Sequence, residues 1–105
     1  MDLLTGKAKE DFEKWIEKEM FHFGFNLDQQ RNSINDLSDL FLNALIIEWL
    51  DSVGINIILT CEFDYGYEIL DKRYEVMEEL KKWYDTRHEA TTHAIKKANE
   101  IYNNQ

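Results

Sequence analysis

Residues 34–52 contain a run that is apolar around most of a helical circumference, and it constrains the fold more than any other stretch. Leu40, Phe41, Leu42, Ala44, Leu45, Ile46, Ile47, Trp49 and Leu50 leave little polar remainder beyond Asp39, Asn43 and Glu48. A helix of this kind must be covered on several sides. A chain of 105 residues has room for one core, so this helix is expected to be the centrepiece of a single domain spanning 1–105. The alternative is that a second copy covers part of it, giving a homodimer through 34–52.

The flanking signals fit that picture. Ser33-x-x-Asp36 is a variant capping box at the start of the helix, and Val53-Gly54 is a stop, glycine tolerating the left-handed cap. Proline is absent and glycine occurs four times, which favours long helical segments. Ala8, Phe12, Trp15, Ile16 and Met20 recur at spacings of three and four, predicting an amphipathic helix over about 7–20. Phe21, Phe23, Phe25 and Leu27 then alternate with polar residues, so 21–27 reads either as a short strand or as an aromatic loop.

Beyond Gly54, Ile55, Ile57, Leu59, Cys61 and Phe63 alternate with a second set of residues, the strongest strand pattern in the chain. Asp64-Tyr65-Gly66 supplies turn residues, and 67–70 can return as an antiparallel partner. A two-stranded hairpin is marginal alone. It is expected to lie on helices or to recruit a third strand, for which 21–27 is the candidate. Tyr74, Met77 and Leu80, with Glu78 and Lys82 at helix-pair spacing, predict a helix over 72–83. Thr86-x-x-Glu89 is a capping box for a last helix whose Ala90, Ala94 and Ala98 allow close approach to a neighbour. The fold class that follows is α+β: a helix-rich single domain with a small antiparallel hairpin, of two or three strands, packed on helices.

Charge narrows the partners. Net charge is −9, and residues 28–71 hold nearly all the excess, with nine acids against Arg31 alone. Such a chain is repelled by phosphate, which disfavours direct binding to nucleic acid or to an anionic membrane. Its electrostatic complement is a protein with a basic surface. The lone Cys61, the lack of a signal-peptide pattern and the shortness of the apolar runs imply a reducing, cytoplasmic setting without a membrane span.

Few motifs invite chemistry. His88-Glu89 … His93 sits near the H-E-x-x-H zinc pattern, but its histidines are five apart. On a helix they diverge by about 140°, against about 40° at the ligand spacing. Glu89 then serves the cap, and both histidines are expected on the helix surface. Cys61 has no local base to make it a nucleophile and is expected as a small core residue on the inner strand face. His22 reads as an exposed or loop residue. Phosphate loops, nucleophile elbows and paired-cysteine metal motifs are missing, so no enzyme class gains support and no cofactor is implied. The polar cluster that remains is Glu62, Asp64 and Glu68 beside Tyr65 and Tyr67. The acids at 62 and 64 would share a strand face. The cluster reads as a solvated hairpin face, as a partner-binding surface with tyrosines as contact area, or as a site for a hard cation or small ligand without calcium-loop order.

Three blocks carry a family likeness: Asp11-Phe12-Glu13-Lys14-Trp15, Glu48-Trp49-Leu50-Asp51-Ser52-Val53-Gly54-Ile55, and the tail over 85–103. The chain resembles uncharacterised small phage and prophage proteins that end in T-R-x-E-A … A-I-x-K-A-x-E-I-Y-N. Trp49-Leu50 departs from the Phe-Phe that precedes Asp-Ser-Val-Gly-Ile in that pattern, and 56–84 has no counterpart in it. The resemblance implies a mobile-element setting and transfers no catalytic residue. Small acidic proteins in that setting include inhibitors of host defence enzymes, such as anti-CRISPR proteins that occlude the DNA-binding groove of an effector. A groove that holds phosphates is basic, so an acidic surface competes for it. The rivals are an enzyme or ligand-binding accessory protein using Glu62, Asp64 and Glu68, and an assembly component dimerising through 34–52.

Overall fold

The computed structural model describes residues 3–21, 39–73, 75–79 and 83–105. The expectations placed on His22, on 22–27 and on the Ser33/Asp36 cap lie outside those residues. Helix α1 (Gly6–Phe21) buries Ala8, Phe12 and Ile16, the stripe that the four-residue spacing puts on one side. Helix α2 (Asp39–Ser52) buries Leu42, Ile46, Trp49 and Leu50. Its cover is incomplete, for Phe41 remains 53% exposed.

Helix α2 ends as its glycine implies. Gly54 takes φ +85°, the Ile55 N–H donates to the Leu50 carbonyl at 2.9 Å, and the Gly54 N–H donates to that of Asp51 at 3.2 Å. These bonds form a Schellman motif, and the buried pair Leu50 and Ile55 supplies its apolar contact. The turn feeds strand β1 (Asn56–Cys61), which pairs antiparallel with β2 (Tyr65–Leu70). Ile57 stands opposite Ile69 and Leu59 opposite Tyr67. These four form the face that rests on the core.

The third strand is β3 (Val76–Glu79), giving the sheet order β1-β2-β3. This corrects the expectation of a helix over 72–83. Residues 76–79 are strand and not helix, and they supply the third strand of the described sheet. A helix over 72–83 would leave the outer edge of β2 without backbone partners, and edge pairing outweighs a modest helical spacing. The Asp71 carboxylate fixes the connection, accepting the N–H groups of Arg73 at 2.8 Å and Glu75 at 3.0 Å. The expected hairpin turn at 64–66 also moves. Cys61 pairs with Tyr65, and Glu62, Phe63 and Asp64 form the bend.

Helix α3 (Arg87–Asn103) starts where the capping box indicates, with Thr86 Oγ1 accepting the Glu89 N–H at 3.1 Å. Ala90, Ala94, Ile95 and Ala98 are fully buried against β2, β1, α1 and α2. Trp49 sits between two rings, Phe12 at 5.8 Å and Tyr102 at 4.9 Å, both edge-on. Phe12, Trp49 and Tyr102, from three distant stretches of the chain, therefore meet in one aromatic cluster. Three helices and a three-stranded antiparallel sheet make one α+β domain among the described residues. None of those helices is long and apolar enough to cross a membrane.

Candidate functional site

The β1–β2 hairpin runs past the helices that cover its base. Ile57 and Leu59 pack on the core, whereas Cys61 is exposed. This corrects the expectation of a core cysteine: the alternation continues to the strand end, but the cover stops sooner. Phe63 is the larger surprise. The same alternation places it with the buried set, yet it stands at the tip with its whole side chain in water, 101% exposed.

The tip is built on a firm base. The Glu62 N–H donates to the Asp64 carbonyl at 3.1 Å, closing the bend. Tyr65 and Tyr84 exchange two backbone hydrogen bonds of 2.9 Å each, tying the hairpin to the segment that leads into α3. The Arg87 guanidinium lies over the Tyr65 ring at 5.8 Å. Behind it, Tyr67, Tyr84 and His93 stack in sequence, with centroids 6.4 and 4.6 Å apart.

The five residues singled out from sequence thus divide. Glu62 and Asp64 are together and exposed, but in the bend and not on a strand face. Glu68 lies four residues up β2 from Asp64, about 13 Å away at strand rise, half-buried and opposite Ile58. Tyr65 is half-buried beneath Arg87. Tyr67 is 9% exposed and belongs to the core, so it offers no contact area to a partner. The three acids do not converge on one point. No group of three or more His, Cys, Asp or Glu suited to a metal occurs among the described residues. His88 is exposed, and His93 is occupied by its stack on Tyr84.

Comparison with known proteins brings no relative to this geometry: no family model, no curated protein and no solved structure matches the chain.

A second acidic locus, which the spacing arguments passed over, lies at the end of α2. Glu48 and Asp51 are exposed in its final turns, and the last turn carries no base. Negative charge is unfavourable at the negative end of a helix dipole. Partial desolvation of its carboxyl, and secondarily the Glu48 charge, push Asp51 above the usual carboxylate range. The signal for this locus was present in sequence as a three-residue spacing of like charges just before the helix stop.

Proposed function

We propose that the protein acts by non-covalent binding to a protein with a basic surface, as a binder and not as a catalyst. Its target in this reading is a nucleic-acid-binding defence enzyme of a bacterial host, a CRISPR effector or another nuclease. The acidic surface occupies the groove that otherwise holds DNA or RNA, in the manner of an anti-CRISPR inhibitor.

The observation that carries this reading is a set of exposed acids, at the α2 end and at the hairpin tip, that make no ion pairs among the described residues. Glu48, Asp51, Glu62 and Asp64 are exposed, and none has an ion-pair partner among the described residues. Bases are available elsewhere, as in the Lys97–Glu100 pair at 3.3 Å, but they are not spent on these acids. Exposed acids free of ion pairs raise the encounter rate with a basic groove, and the net negative charge disfavours phosphate-rich partners. The likeness to phage and prophage proteins supplies the biological setting.

Affinity capture from a bacterial lysate that carries defence systems, with mass spectrometry of the retained proteins, tests the reading. A nucleic-acid enzyme that is released by added salt is the expected result. Recovery of none contradicts it. The exposure of Phe41 on α2 favours one second reading, self-association through that helix, which predicts a stable homo-oligomer on sizing.

A further inference from the structure

We infer that Phe63 is an apolar anchor, held out by the hairpin to enter a hydrophobic pocket rimmed by arginine or lysine on the partner protein. The inference rests on the reading of the acidic surface as a binding surface, and it adds which side chain supplies the grip and what the partner must present. Hairpin tips are ordinarily built from glycine, asparagine or aspartate, whose backbones suit the turn. This one places a phenyl ring between two carboxylates, Glu62 and Asp64. Leaving such a ring in water forgoes roughly 1.5–3 kcal/mol of burial free energy, and the ring is 101% exposed.

The scaffold beneath the ring limits what binding must order. The Glu62–Asp64 backbone bond closes the bend at 3.1 Å. The paired Tyr65–Tyr84 bonds clamp its base, and Arg87 covers Tyr65 from the side. A preorganised aromatic side chain with few rotatable bonds loses little entropy on docking, which is why aromatic anchors dominate binding energy at interfaces. The flanking acids define the pocket's rim by charge complementarity. A neutral apolar pocket would strip water from two carboxylates without return, whereas guanidinium or ammonium groups at the rim pair with them.

Two synthetic peptides of equal positive charge test the inference by isothermal titration at low salt. In one, arginines flank a tryptophan–leucine cluster; in the other, serines replace the apolar residues. The wild-type protein is expected to bind the apolar peptide roughly tenfold more tightly, as for an anchor residue. Phe63→Ser is expected to remove that preference while leaving affinity for the serine peptide intact. Glu62→Lys with Asp64→Lys is expected to weaken both. Because Phe63 touches no core residue, Phe63→Ser keeps the wild-type circular dichroism spectrum and melting temperature. Equal binding of the two peptides by the wild type, or a preference that survives Phe63→Ser, overturns the anchor and leaves the acidic reading standing. Failure of the wild type to bind either peptide overturns both. A melting temperature lowered by Phe63→Ser would assign the ring a structural role instead.

Discussion

The backbone N–H of Ala8 donates to Oδ1 of Asn103 at 2.8 Å, across 95 residues of chain. It belongs to a wider clamp. Asn99 Oδ1 accepts the Thr5 N–H at 2.9 Å, Asn99 Nδ2 donates to Thr5 Oγ1 at 3.0 Å, and Asn103 Nδ2 donates to the Thr5 carbonyl at 2.9 Å. The first turn of any helix has N–H groups without partners in its own helix. Here the amides of α3, one turn apart, supply those partners to α1. Gly6 starts the helix at φ +59°, a left-handed backbone that favours glycine, directly beside the Asn103 amide. Asn103→Ala is expected to lower stability by about 1 kcal/mol, the usual cost of losing a cap. Asn99→Ala should act similarly, and the pair less than additively because they share Thr5. Urea unfolding of the two single variants and the double variant measures this.

Next to the clamp, the Tyr102 hydroxyl donates to the Asp11 carboxylate. That hydrogen bond, then burial, then the Asp11 charge push the phenol up to about 12 from 10.0. The folded state therefore holds this proton more tightly than the unfolded chain does. The stabilisation is fully present below the ordinary phenol value and is lost as pH rises from about 10 to about 12. Thermal melts across that window should show a steeper decline for the wild type than for Tyr102→Phe. Identical slopes would mean that the bond is not formed in solution.

Asn43 is 3% exposed on α2, and neither atom of its amide has a hydrogen-bond partner among the described residues. A buried polar group without partners costs about 1–3 kcal/mol. Asn43→Leu, of similar volume, is expected to raise the melting temperature. A fall instead would mean that the amide is satisfied in the folded protein.

Cys61 lies at the exposed end of β1. Its thiol should react with a water-soluble disulfide reagent at the rate of an unfolded control, without prior unfolding. Protection until denaturation would return Cys61 to the core, where alternation alone had put it.

That residue illustrates which parts of the molecule were legible in sequence. The stripe of Ala8, Phe12 and Ile16, the Gly54 stop, the Thr86 cap and the three alanines of α3 each depend on neighbours within a turn or two, so spacing sufficed. Cys61 and Phe63 kept the alternation of a buried strand face, but alternation cannot say where the covering helices stop. Residues 76–79 carried a helical spacing, and the vacant edge of β2 that drew them into the sheet is a property of the assembled fold. Asn99 and Asn103 carry no local signal of their role because their partners lie 94 or more residues away. Of the site, Glu62 and Asp64 were legible as exposed acids. Glu68 and Tyr67 were grouped with them by proximity in sequence, which the strand rise and the core undo.

The central claim is that exposed acids engage a basic nucleic-acid groove. Its most direct measurement is a competition for the enzyme recovered by capture, between labelled nucleic acid and this protein, over a salt series. The protein is expected to displace the nucleic acid, with an affinity that falls as salt rises. The variant carrying Glu62→Lys and Asp64→Lys, both at the exposed bend, should fold normally and lose most of that competition. Full competition by the variant, or binding indifferent to salt, would contradict the account.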